Sequence, residues 1–195
     1  RDACNNTTVK TQTITVSDTT SPTFTVPPPI TVYRNATCDI DTLVTATGNV
    51  TLQTDNCTAS GSLTILRSDN TAGLTGCNST GTIVRTFTVR DACNNTTVKT
   101  QTITVSDTTS PTFTVPAPIT VYRNATCNID TLVTATGDVT DEADNCSVGI
   151  QATRSDNTTG LTGCNGTGTI VRTWILKDAC NNTTVKTQTI TVSDT

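Results

Sequence analysis

Histidine and methionine are absent from this chain, aromatic residues make up only 3%, and charged residues only 14%. The missing histidine removes the commonest general base and the usual partner of cysteine in mixed zinc sites. Charge is sparse against the ~25% of an ordinary globular domain. The net charge of -4 excludes the clustered Lys and Arg that nucleic acid or an anionic membrane would require, so no nucleic-acid partner is expected. No apolar run approaches the ~20 residues of a membrane-spanning helix, so no membrane span is expected in this segment. A signal-peptide pattern is also lacking, and Arg1 falls inside a repeat, so the chain reads as an excerpt.

What is abundant is threonine, about a quarter of the residues, arranged in a repeat. Asp2-Ala3-Cys4-Asn5-Asn6-Thr7-Thr8-Val9-Lys10 returns at Asp91 and at Asp178, a period of roughly 85 to 90 residues, the length of a small β-sandwich. Residues 1–39 and 90–128 differ only at Pro28/Ala117 and Asp39/Asn128. Such uniformity suits interchangeable units better than modules with separate tasks. Threonine is β-branched and favours extended backbone while presenting a hydroxyl to water. The segments read as residues 1–19, the C-terminal strand of a preceding repeat or a donor strand, then Ig-like repeats at 20–108 and 109–195. The linkers Asp18-Thr19-Thr20-Ser21-Pro22 and Asp107-Thr108-Thr109-Ser110-Pro111 are short and stiffened by proline, which favours a rod.

Apolar residues recur with period two, as in half-buried strands. Phe24, Val26, Ile30 and Val32 give a first strand, A, broken at Pro27-Pro28-Pro29, and residues 43–47 give strand B. Leu63 and Ile65 give strand C, matched by Val148 and Ile150 in the second copy. Ile83, Phe87 and Val89 give strand F, with Trp174 in place of Phe87. The last strand, G, covers 98–105, with Ile103 and Val105 inward and Lys99 and Gln101 free to face water. Gly73, Gly76 and Gly81 mark turns between C and F, with room for one or two short strands. The expected fold is all-β: tandem Ig-like sandwiches of Greek-key type, disulfide-stapled and arranged as a rod or filament.

Four motifs carry a family resemblance: Asp-Asn-Cys at 55–57 and 144–146, Thr-Ile-Val-Arg-Thr-Phe/Trp at 82–87 and 169–174, Asp-Ala-Cys-Asn-Asn at 91–95 and 178–182, and the long string at 100–111. Together they resemble the hyalin-repeat-like, Ig-like modules arrayed in large extracellular surface proteins of Bacteroidota. Those relatives usually carry glycine where this chain has Asn94 and Asn181. The resemblance implies a secreted adhesive or scaffolding repeat, not an enzyme.

Nine cysteines in a small-core β protein point to an oxidising, extracellular setting. Paired CxxC spacing is absent, which argues against zinc. Strand alternation puts Cys38 and Cys77 at one end of a repeat and Cys57 and Cys93 at the other. The expected bridges are therefore Cys38–Cys77 and Cys57–Cys93, then Cys127–Cys164 and Cys146–Cys180. Each would close some 35 to 40 residues and contribute roughly 3 to 4 kcal/mol. Cys4 is left over, its partner expected upstream.

No catalytic constellation is visible. The acidic group Asp138, Asp141, Glu142 and Asp144 has the counterparts Asn49, Leu52, Gln53 and Asp55 in the other copy, so it reads as a solvated loop. Calcium is the metal to expect, if any: Asp107 should meet Asp144 and Asp178 where one repeat enters the next. Asx turns explain the same residues without a metal. Sequons suggest N-glycans on Asn6, Asn35, Asn49, Asn78, Asn95, Asn124, Asn157, Asn165 and Asn182. Resemblance to the Asp-Ser/Thr-apolar acceptors of Bacteroidota implies O-glycans on Thr42, Thr131, Thr19 and Thr108. The functional expectation is a structural repeat of an extracellular filament or cell-surface stalk, its partners being further copies of itself and attached glycans. The alternatives are an adhesin or carbohydrate-binding module, and a non-catalytic spacer of a secreted enzyme.

Overall fold

The structure is a computed structural model that describes residues 1–194, and its regular elements are mostly β-strands. The first repeat holds β1 (Thr23–Thr25), β2 (Ile30–Tyr33), α1 (Val44–Thr47), β3 (Thr51–Thr54), β4 (Thr64–Gly73), β5 (Gly81–Arg90) and β6 (Thr96–Ser106). The second holds β7 (Thr112–Thr114), β8 (Ile119–Tyr122), α2 (Val133–Thr136), β9 (Thr140–Ala143), β10 (Thr153–Gly160), β11 (Gly168–Lys177) and β12 (Thr183–Ser193). By compactness the residues fall into two units. One comprises 1–27, 49–68 and 85–101; the other comprises 28–48, 69–84 and the described residues from 102 onward.

The larger unit contains the whole second repeat. Its four-stranded sheet runs β10-β11-β12-β8, and β7 with β9 forms a two-stranded sheet. Strand β11 alternates strictly, with Ile170, Arg172, Trp174 and Leu176 buried. Phe113, Trp174 and Leu176 form one core cluster, and Ile170, Ile190 and Val192 another. The chain changes sheets at Pro116-Ala117-Pro118. Upstream β7 pairs antiparallel with β9, and downstream β8 runs parallel to β12 in register Ile119↔Ile190. Proline cannot donate to a ladder, so a Pro-rich break is the place for a strand to leave one sheet for the other. The same unit holds the first repeat's β2, parallel to β6 in register Ile30↔Ile103, over a cluster of Ile83, Ile103 and Val105. In the smaller unit β1 pairs with β3, and Phe24, Val50, Leu63, Phe87 and Val89 form the core.

Several sequence expectations are corrected. Residues 43–47 do not form a strand: 44–47 make one helical turn, as 133–136 do in the second copy. Asp41 accepts the Leu43 amide, the Thr47 hydroxyl bonds back to the Leu43 carbonyl, and Gly48 turns the chain at φ 90, so local bonds replace a ladder. Val148 is 94% exposed and Ile150 lies outside any strand, because Gly149 breaks the chain at φ 65 and β10 starts only at Thr153. Gln101 and Gln188 point inward. The Gln188 amide donates to the carbonyls of Thr136 and Ala117, holding the helical turn and the proline break to β12.

No strand lies between β10 and β11, nor between β4 and β5. At the hairpin mouths a Cβ on Gly168 would lie 2.1 Å from the Gly160 carbonyl, and one on Gly81 the same 2.1 Å from that of Gly73, so only glycine fits. Residues 1–19 form no strand, consistent with an unpaired strand being unstable alone.

Candidate functional site: a junction between repeats

The chemistry-bearing residues meet where loops 35–39 and 76–80 of the first repeat touch loops 144–147 and 178–182 of the second, within the larger unit. Two loops of the first repeat, 35–39 and 76–80, are clipped together by Arg34, whose guanidinium donates to the carbonyls of Cys38 and Ser79. Asn35 closes the first loop by accepting the amides of Thr37 and Asp39. Cys38 sits at φ 63 and Asn78 at φ 49, left-handed conformations that these turns need.

Both cysteines of this end bridge to the next repeat. Cys38 is joined to Cys146 and Cys77 to Cys180, with Cα–Cα distances of 4.9 and 5.2 Å. The expected pairs Cys38–Cys77 and Cys146–Cys180 are thereby overturned. Placing Cys38 and Cys77 at the same end was sound, but each meets a cysteine of the following repeat instead of its neighbour. Cys57, Cys93, Cys127 and Cys164 carry no bridge and are exposed, as is Cys4, so Cys57–Cys93 and Cys127–Cys164 are not formed either.

Around the bridges lies the acidic cluster. One carboxylate oxygen each of Asp107, Asp144 and Asp178 lies within 4.8 Å of the others. Asp107 and Asp178 are buried. Asn78 of the preceding repeat donates to Asp107 Oδ2 and to Ser147 Oγ, both at 3.0 Å. Asn182 donates to Asp178 Oδ2 at 2.7 Å and to the Asp107 carbonyl at 3.2 Å. Asp144 Oδ2 accepts the amides of Cys146 and Ser147, and Asn145 donates to the Asn35 carbonyl. Asp144 Oδ1 is buried with no hydrogen-bond partner.

The smaller unit repeats this arrangement at the start of the first repeat, with Asp18, Asp55 and Asp91 again within 4.8 Å. Asn95 donates to Asp91 Oδ2 and to the Asp18 carbonyl, as Asn182 does in the second repeat. The amides of Thr58 and Cys57 hold the Asp55 carboxyl below its ordinary value. Desolvation, then the charges of Asp18 and Asp55, push the Cys57 thiol up. Asp18 Oδ2 and Asp55 Oδ1 are buried without a partner. Sequence reasoning named the second cluster and missed this one, although the repeat itself carries the signal.

The other acidic residues part company. Asp138 and Glu142 line a cleft of about 180 Å³ with Arg154 and Trp174, and Glu142 accepts the Ala152 amide. Trp174 itself is 1% exposed, a core residue. Of the sequon residues, Asn6, Asn35, Asn49, Asn124, Asn157 and Asn165 are exposed. Asn78, Asn95 and Asn182 are half-buried, and each side-chain amide makes at least two hydrogen bonds, which leaves no N–H for a sugar. Thr19 and Thr108 are exposed, while Thr42 and Thr131 are half-buried. Among the described residues no helix is long and apolar enough to cross a membrane.

No family model matches this chain, and no curated protein matches it. Among solved structures it is similar to Drosophila N-cadherin EC1-4, with 12% identity and a TM-score of 0.35 over 89% of this chain, which spans about half (50%) of that one. It is also similar to human mucin-like protocadherin EC1-2, with 9% identity and a TM-score of 0.31 over 89% of this chain and 98% of that one. At such scores neither likeness carries an argument.

Proposed function

We propose that this chain is a run of structural repeats of an extracellular fibre or cell-surface stalk, without catalysis of its own, whose repeats are locked end to end. The observation that carries the reading is the junction, where two disulfides and the Asn78–Ser147 and Asn145–Asn35 bonds tie one repeat to the next. Disulfides of this kind persist in oxidising compartments, which supports an extracellular location. The motif resemblance to hyalin-like surface repeats is in keeping with this role. An adhesin that stacks sugars on exposed aromatics is less favoured, since Trp174 is buried and only Tyr33 and Tyr122 are exposed.

The junction also suits a hard cation. Asp107, Asp144 and Asp178 supply oxygens only, and the unpartnered Asp144 Oδ1 faces a shortage of donors that an ion would remedy. Calcium bound there would offset two of the three negative charges of the converging carboxylates. Asp107 belongs to the linker, so the protein's own contribution is to tie the linker to two loops of the following repeat. Exposed sequons such as Asn35 and Asn124 allow a glycan coat.

Negative-stain images of native material should show fibres or stalks, and isolated globular particles would refute the structural reading. Calcium titration of the chain should raise its melting temperature with two ions bound, one per Asp cluster. Asp144→Asn should abolish one of them. An unchanged melt after chelation would leave these residues as turn formers.

A further inference from the structure

The junction has two sides, and each side recurs elsewhere in the chain without its counterpart. Its leading side is the Asn35–Asp39 and Gly76–Thr80 loops with Cys38, Cys77 and Asn78. In the second repeat the same loops return as 124–128 and 163–167, with Cys127, Cys164 and Asn165 in those places. Arg123 clips them as Arg34 does, donating to the carbonyls of Cys127 and Gly166. Its receiving side is Asp107, Asp144–Ser147 and Asp178–Asn182. In the first repeat that side returns as Asp18, Asp55–Thr58 and Asp91–Asn95, with Cys57 and Cys93 in the places of Cys146 and Cys180.

At the receiving side of the first repeat three groups lack what their equivalents have. Cys57 and Cys93 are exposed thiols where Cys146 and Cys180 are bridged. Asp18 Oδ2 is buried and unpartnered where Asp107 Oδ2 accepts Asn78. An orphaned buried carboxylate oxygen is costly unless a donor arrives. The counterparts are found on the second repeat's leading side: Cys127 and Cys164 are exposed thiols.

We infer that these are the open halves of the same junction and that each takes a further copy of this repeat, so that every repeat boundary is crossed by two disulfides. Cys127 of one copy pairs with Cys57 of the next, and Cys164 pairs with Cys93, while Asn165 keeps its bond to Asp194 Oδ2, as Asn78 does to Asp107. The interface is heterologous, leading side to receiving side, so each copy can engage one neighbour at either side. This inference rests on the structural-repeat reading above and names the partner of its junction.

Each bridge forms by exchange with an external low-molecular-weight disulfide. One cysteine thiolate attacks it to give a mixed disulfide and release one thiol. The second cysteine thiolate then displaces the other. Two protein thiols lose two protons and two electrons, and the external disulfide is reduced to two thiols.

The test uses the full chain with Cys4→Ser, to silence the one cysteine outside this scheme, in a glutathione redox buffer. Non-reducing electrophoresis should show a ladder of covalent multimers. The ladder should be lost in C57S/C93S and in C127S/C164S, and mixing those two variants should give a single covalent dimer band. Digestion of the ladder with trypsin and Asp-N should yield the Cys127 peptide linked to the Cys57 peptide. It should also yield the Cys164 peptide linked to the Cys93-type peptide. Recovery of Cys57–Cys93 or Cys127–Cys164 within one chain, or multimers of either double variant alone, would overturn the inference. If the ends stay unpaired while Cys38–Cys146 and Cys77–Cys180 are recovered, this inference fails and the structural reading stands. Recovery of Cys38–Cys77 with Cys146–Cys180 would sink both.

Discussion

Asp156→Asn should destabilise the second repeat more than Arg172→Met, although both break the same ion pair. Arg172 is only 1% exposed on the inward face of β11, and Asp156 is its cross-strand neighbour on β10, with a side chain 26% exposed. The guanidinium grips both carboxylate oxygens, at 2.7 and 2.8 Å, and also donates to Thr136 Oγ1 and the Thr131 carbonyl. Removing the carboxylate strands a buried cation, for which about 3 to 5 kcal/mol is typical. Removing the guanidinium leaves a carboxylate that water can reach. The Thr136 hydroxyl keeps its bond to the Leu132 carbonyl, so the main loss is the donor to Thr131. That loss is worth about 1 to 2 kcal/mol, with methionine filling the vacated volume.

A gap of about 2 kcal/mol corresponds to roughly 10 °C in melting temperature for a domain of this size. Trp174 is the single tryptophan, so its fluorescence reports unfolding of the second repeat alone. Acid gives an independent check. The hydrogen bond and charge of Arg172 hold the Asp156 carboxyl below its ordinary value of 3.8. A depressed folded pKa contributes stability that is present in full above the unfolded value and lost as pH falls through the folded one. The wild type should therefore lose stability below about pH 4 in a step that Asp156→Asn lacks. Equal melting temperatures for the two variants, or the reverse order, would refute the account of which charge is stranded.

Two further outcomes are expected. Reduction should lower the melting temperature of the second repeat, because the Cys38–Cys146 and Cys77–Cys180 loops span 108 and 103 residues, for which chain entropy gives about 4 to 5 kcal/mol each, somewhat less for the second because the loops interlock; an unchanged melt would show the bridges idle. Intact-mass and glycopeptide analysis of native material should place sugars on exposed sequons such as Asn35, Asn49, Asn124 and Asn157 and none on Asn95 or Asn182, whose amides are committed to Asp91 and Asp178; a bare polypeptide mass would end the glycan reading.

The all-β class, the long last strand and the Asp107–Asp144–Asp178 cluster were legible because each depends on period two or on which loops share an end. What was illegible shows where such patterns run out. The 43–47 segment alternates like a strand, yet side-chain hydroxyl and carboxylate bonds within a few residues turn it into a helical turn, and no periodicity reports that competition. Arg172 and Gln188 occupy inward positions by strict parity. Their polarity hid them, although parity alone assigns them to the core beside Ile170 and Ile190. The Asp18–Asp55–Asp91 cluster was missed although the repeat places Asp18 at the position of Asp107.

The disulfides failed to read for a different reason. Strand direction decides which cysteines share an end, but two cysteines at one end have two ways to find partners, each other or the end of a neighbouring repeat. Nothing inside one repeat's sequence distinguishes them. The distinction matters energetically. A bridge within a repeat would help that repeat fold alone, whereas a bridge between repeats adds to the nearest-neighbour term that couples them. Each repeat must then be held by its own resources. In the second these are two small apolar clusters, a hairpin closed by paired glycines, and the Arg172–Asp156 network across it. The cysteines Cys38, Cys77, Cys146 and Cys180 are left to couple consecutive repeats, so that one does not unfold without cost to the other.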